Sequence, residues 1–180
     1  GSDGYLAFLD NMLQIQKTEN YKFDYDYDIR LFASPVKMRE ELRKINKINN
    51  KSRMLAGYCY EWVSESEPEG NAYDIELENG FKAKWNFANS IWAIDPNSFD
   101  QVGCIHTSQG LEFDYCGVII GNDLRYKDGK VTPDKTKEAR SDKTSGIRTC
   151  KDGKLADRLI RNTYKVLLSK KKKGCFVYCE

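Results

Sequence analysis

The 180-residue chain has one histidine, four prolines and no Cys-x-x-Cys pair, and each scarcity removes a class of chemistry. Around His106, the single histidine, no Ser-His-Asp arrangement is recognisable, so acyl transfer of that type is not read. Six cysteines, at positions 59, 104, 116, 150, 175 and 179, fail a metal or disulfide reading on spacing, and no cysteine pair lies near the histidine in sequence. No metal ligand is assigned, and no cluster of carboxylates has the spacing a metal-dependent nuclease needs. There is no apolar run of about eighteen residues and no apolar leader, so neither a membrane span nor a signal peptide is read, and a reduced cytoplasmic protein is expected. No Gly-x-x-x-x-Gly-Lys-Ser/Thr run occurs, so the chain lacks the backbone cradle and lysine that hold a triphosphate and its magnesium. Net charge is only +2 with 31% charged residues. Any nucleic-acid contact is therefore local, because an autonomous binder carries a strongly basic footprint.

What is present reads as one α/β domain of ordinary size. Asp3 is placed to cap a helix whose apolar stripe is Leu6, Leu9, Met12 and Leu13. The acidic, aromatic stretch Glu19 to Asp28 reads as a loop before a strand over Ile29 to Phe32. Ser34-Pro35 starts a second helix, with serine as cap and proline at the first helical position, and Met38, Leu42 and Ile45 form its face. Arg53 to Tyr60 has no strict alternation, the pattern of a strand buried on both faces. Tyr73 to Trp85 alternates around Asn79-Gly80, which predicts a small β-hairpin insertion at about residues 70–90. Trp62, Trp85 and Trp92 either fill a core or form a base-stacking platform.

Asn122 to Asp152 is polar and reads as a long loop or flexible excursion, with a small hairpin at Lys127 to Lys130. Loops of that length are usually functional or disordered, which points to contact with a neighbouring domain or nucleic acid. Leu155, Leu159, Ile160, Tyr164, Leu167 and Leu168 form a last helical stripe, and Gly174 leads into a strand over Cys175 to Cys179. Strands alternating with helices predict a mostly parallel sheet with helices on both faces.

The most informative segment is Cys104 to Ile120, CIHTSQGLEFDYCGVII. Apolar strands are expected at Val102 to Ile105 and Cys116 to Ile120, joined by a polar turn. Gly110 removes a side chain where the backbone comes close to something, and Thr107, Ser108, Gln109 and Glu112 crowd hydrogen-bonding groups around it. Polar groups at the ends of buried strands are where open α/β sheets place ligands. On residue chemistry alone, His106 is either a hydrogen-bonded turn residue or a ligand contact, and Glu112 a metal ligand, general base or sugar contact. Asp114 alternates away toward solvent or a capping role. Lys170 to Lys173 reads as a solvated strand entrance.

His106, Ser108, Gln109, Gly110, Leu111, Glu112 and Phe113 resemble the fifth motif of superfamily-one helicases. With Gly1 to Leu13, Ala56 to Val63 (AGYCYEWV), Trp92 to Pro96 (WAIDP) and Ile160 to Cys179, nearly the whole chain resembles a family of helicase-like ATPases related to the C-terminal region of Schlafen proteins. The resemblance implies a second RecA-like domain spanning residues 1–180. It places Gln109, Gly110 and Glu112 at the nucleotide, with Glu112 on the ribose, and His106, Thr107 and Ser108 on single-stranded DNA or RNA. It also places Lys170, in a Ser169-Lys170 pair where relatives carry Thr-Arg, at the γ-phosphate. That departure replaces a planar fork with a flexible point charge. Arg161 is either a second phosphate contact or a partner for a neighbouring carboxylate. ATP and Mg²⁺ are implied for the longer protein, completed by an N-terminal P-loop RecA-like domain, with none tightly bound to this chain alone. The isolated chain is expected to be catalytically silent, with no membrane partner. The alternative is a non-catalytic module that keeps the shape to bind nucleic acid or protein.

Overall fold

The computed structural model describes residues 3–18, 27–67, 69–86, 92–169 and 171–180. In chain order the helices are α1 (Asp3–Met12), α2 (Pro35–Asn49), α3 (Ile105–Ser108) and α4 (Gly153–Ser169). The strands are β1 (Asp28–Phe32), β2 (Ser52–Ala56), β3 (Ile75–Glu76), β4 (Lys82–Ala83), β5 (Val102–Gly103), β6 (Phe113–Ile120), β7 (Leu124–Lys127), β8 (Lys130–Pro133) and β9 (Lys171–Cys179). Five of them form one sheet in the order β1-β9-β6-β2-β5, and every pairing in it is parallel. The α/β class and the mostly parallel sheet are thus as the sequence predicts.

The connection from β1 to β2 crosses the sheet in one direction and that from β6 to β9 in the other. Right-handed crossovers running opposite ways put their helices on opposite faces. Accordingly α2 packs on β2, β6, β9 and β1, while α4 packs on β6 with α1 laid across it. Coverage on both sides explains why β2 is buried at every residue and why β6 and β9 read as apolar runs.

Local sequence accounts for most elements. Ser34 caps α2 by accepting from the Lys37 N–H, Pro35 opens the helix, and Asn50 closes it at φ 58°. The β3–β4 hairpin turns through Asn79 (φ 59°) and Gly80 (φ 75°), the left-handed pair that Asn-Gly favours. The β7–β8 hairpin turns likewise through Asp128 and Gly129.

Four expectations change. The strand predicted over Arg53 to Tyr60 ends at Ala56, and the apolar pattern persists beyond it because Tyr58 and Tyr60 are buried under loops. In α1 the buried stripe is Tyr5 and Leu9, continued by Leu13, while Met12 is 44% exposed. In α4 Leu155 is exposed and Ala156 takes its inward place. The stretch 122–152 is the expected long loop with its small hairpin, but it is packed and not a flexible excursion. It carries the β7–β8 hairpin, buries Ala139 and Ile147, and is tied to the end of β2 by the Ala139 N–H donating to the Tyr58 carbonyl at 2.8 Å. Its polar residues mainly close its own turns: Arg148 donates to the Thr136 and Glu138 carbonyls, and Asp142 accepts from the Thr144 and Ser145 N–H groups. The acidic stretch at residues 19–26 lies outside the described residues.

Candidate nucleotide and nucleic-acid interface

The segment after β5 folds into one helical turn, α3, where the sequence suggests a strand reaching Ile105. The turn forms because the Thr107 hydroxyl accepts from the Cys104 N–H at 2.7 Å, closing the chain on itself immediately past Gly103. Ser108 is buried, and its hydroxyl donates to the Ile105 carbonyl at 3.1 Å. Thr107 and Ser108 therefore shape the turn. His106, immediately before them, is exposed, its ring 6.3 Å from that of Tyr58. A small cleft beside it is lined by Tyr58, Tyr60, Trp62, Trp85 and Asn86.

Trp85 and Trp92 are core residues. The Trp92 indole donates to the Gln101 carbonyl at 3.0 Å and lies so close to Gly103 that an added Cβ there would stand 2.6 Å from the ring. Trp62 is half-buried, edge-on to Trp85 at 6.4 Å.

Gln109 is exposed and extended, ending α3, and Gly110 follows at φ 76°. Among the described residues no atom lies within 4 Å of where a Gly110 Cβ would sit, so the position needs glycine for its backbone angle and not for a close approach to them. Glu112 is exposed and bonds the Lys172 ammonium at 2.8 Å, which holds its carboxyl below the usual carboxylate range.

Asp114, for which a solvent or capping role is expected, is buried. It accepts from the Asn49 amide at 2.7 Å and faces the Lys173 ammonium at 3.5 Å. Burial opposes its ionisation, yet those two partners outweigh it and keep its proton affinity low. The lysine run is therefore only partly solvated: Lys171 is buried with its ammonium 5.6 Å from the Phe113 ring, and Lys172 and Lys173 are paired.

Because Phe113 is in register with Lys171, the Gly110–Glu112 turn and the α4–β9 junction meet at the amino ends of the strands. His106 stands at the opposite, carboxyl ends, beside the Tyr58 that follows β2. One segment thus reaches both ends of the sheet. Lys170 lies outside the described residues.

Arg161 joins neither end. Its guanidinium pairs with Asp157 at 2.5 Å and donates to the carbonyls of Leu13, Gln14 and Val131. It stands eight residues before the end of α4, roughly 12 Å along the axis. Those bonds make it a clasp between α4, the end of α1 and β8.

Two clusters escape sequence reasoning. Arg53, fully buried in β2, donates to the Asn46 and Asn50 side chains and to the carbonyls of Ser52, Trp92, Ala93 and Asp95. At the carboxyl ends, Cys59, Asp123 and Glu138 converge with the Tyr164 hydroxyl, which donates to Asp123 at 2.5 Å. The available signal for the second was Gly121-Asn122-Asp123, polar residues closing a buried strand.

A parallel five-stranded sheet with helices on both faces defines an α/β domain. The chain belongs to the family described as Schlafen group 3, DNA/RNA helicase domain, whose model matches residues 1–180. It is also 25% identical over 162 residues to an uncharacterized protein of Saccharomyces cerevisiae, a match covering 85% of this chain and 34% of that protein. The chain thus spans about a third of the length of that relative. No solved structure matches it significantly. Among the described residues, no helix is long and apolar enough to cross a membrane.

Proposed function

We propose that this chain is the second RecA-like domain of an ATP-dependent helicase-like motor, working with an N-terminal P-loop domain of the same protein and with single-stranded DNA or RNA. The observation that carries the reading is the two-ended segment: Gly110 and Glu112 lie beside the α4–β9 junction, and His106 lies at the far end of the same strands. The amino end suits half of a nucleotide site, with an exposed carboxylate among lysines and a turn whose backbone no side chain shields at Gly110.

ATP, with Mg²⁺ held by the P-loop domain, would supply the bond whose hydrolysis drives movement. In this reading Glu112 leaves Lys172 to accept hydrogen bonds from the ribose, while Gln109 and the Gly110 backbone border the nucleotide. By the resemblance, Lys170 would supply positive charge to the transferred phosphoryl group. At the other end His106 touches the nucleic-acid backbone, and Thr107 and Ser108 fix the turn that presents it. Arg161 is left out of the nucleotide site because its donors are already engaged.

The reading is tested by ATP hydrolysis of the longer protein with and without single-stranded nucleic acid. Glu112→Ala and Lys170→Ala are each expected to lower stimulated turnover by at least about tenfold, the loss of one directed polar interaction. The Ser169-Lys170 departure from Thr-Arg favours one rival, a binding module that has lost catalysis. Nucleic-acid binding indifferent to ATP, with no hydrolysis by the unaltered protein, would establish that rival.

A further inference from the structure

The carboxyl ends of the sheet hold a polar cluster that neither proposed ligand uses. Cys59 comes from the segment after β2, Asp123 from the turn after β6, and Glu138 from the segment after β8. Their donor atoms all lie within 4.8 Å of one another. Glu138 is 2% exposed, and among the described residues neither of its carboxylate oxygens has a hydrogen-bond partner. The charged groups that face it are acids, Asp123 and Asp142.

The surroundings are shaped around these groups. An added Cβ at Gly121 would stand 2.8 Å from the Cys59 sulfur, and one at Gly57 would stand 3.2 Å from the Tyr164 hydroxyl. That hydroxyl accepts from the Gly121 N–H at 3.1 Å and donates to Asp123, fixing one carboxylate as an outer partner fixes a metal ligand. A buried carboxylate without a donor, beside a second acid and a thiol, is a set of ligand atoms that a divalent cation would satisfy on displacing their protons.

We propose that Cys59, Asp123 and Glu138 bind a divalent cation of the zinc class, with Tyr164 orienting Asp123. A thiolate with two carboxylates selects zinc over magnesium or calcium, which take oxygen donors alone. The present spread is about 1 Å wider than the roughly 3.5 Å edge of a zinc tetrahedron. Cys59 and Glu138 stand outside the strand ladders, so side-chain rotation closes the gap. The cation ties the 122–152 segment to the ends of β2 and β6. The ligands lie far apart in sequence, at 59, 123 and 138, and so present no metal-binding spacing.

The test is cobalt titration of untagged, chelator-stripped protein, followed by zinc competition. The expected result is about one cobalt per chain with a sulfur-to-cobalt absorption band. Cys59→Ser abolishes the band, whereas the exposed Cys179→Ser leaves it. Glu138→Gln, which keeps size and shape, weakens cobalt binding by at least roughly 10-fold, the smallest loss that even outer-shell changes bring. Zinc also raises the melting temperature of the unaltered protein and not that of Glu138→Gln. The proposal is overturned by absence of the band, by a band that survives Cys59→Ser, or by a melting temperature indifferent to zinc. In the last case the three side chains form a polar cluster that holds no metal.

Discussion

Arg53 shows how much a single side chain can determine. Six acceptors converge on its guanidinium, and they come from the end of α2, from β2 itself and from the 92–95 segment. A planar, multi-donor group suits so many fixed acceptors; an ammonium with three donors does not. Arg53→Lys is therefore expected to lower the unfolding free energy by about 3 kcal/mol, since several buried acceptors lose their donors at about 1–3 kcal/mol each. Urea denaturation of the two proteins measures it, and a loss under about 1 kcal/mol would show that water or rearrangement replaces those bonds. Nothing in the sequence marks this role, because an arginine at the head of an apolar run is equally consistent with a strand entrance.

At the scale of elements, legibility followed how local the determining contacts are. The start of α2 was readable because Ser34 and Pro35 act within one turn, and the Asn79-Gly80 hairpin because two backbone angles decide it. The end of β5 was not, since α3 forms there through a hydroxyl three residues ahead that the apolar pattern conceals. The packing of residues 122–152 depends on the Tyr58 carbonyl some eighty residues earlier, so its polarity alone suggested an excursion. The junction of β6 and β9 is a further case of distant pairing, with Asp114 held between Asn49 and Lys173. Its proton affinity is depressed in the folded state, so its stabilising contribution is complete above the unfolded aspartate pKa, near 3.9, and is lost as pH falls through the lower folded value. Asp114→Asn keeps the shape and an acceptor for Asn49 while removing the charge. It is expected to cost about 1 kcal/mol at neutral pH, and the difference from the unaltered protein should shrink toward zero as the pH is lowered below roughly 3. Guanidinium denaturation at neutral and acidic pH reads both arms, and an equal cost at both would mean that shape and not charge is responsible.

At the scale of the whole molecule, the candidate sites lie at opposite ends of β6, and that separation has a kinetic consequence. A substitution at one end should disturb one ligand first and the other only through the sheet and α3 between them. The resemblance named the motif residues one by one, but their places at the two ends of the sheet were visible only once the β6–β9 register and the His106–Tyr58 contact were fixed. His106→Ala is thus expected to leave hydrolysis without nucleic acid unchanged in the longer protein, and to raise the single-strand concentration for half-maximal stimulation by about tenfold, the value of one polar contact near 1.4 kcal/mol. Glu112→Ala should do the reverse, depressing hydrolysis in both conditions while leaving nucleic-acid affinity measured without nucleotide intact. Titrating stimulation against single-stranded DNA and RNA for the three proteins separates the effects. If His106→Ala lowered unstimulated hydrolysis as far as Glu112→Ala does, the two ends would not be distinct sites, and α3 would belong to the nucleotide pocket together with Gly110.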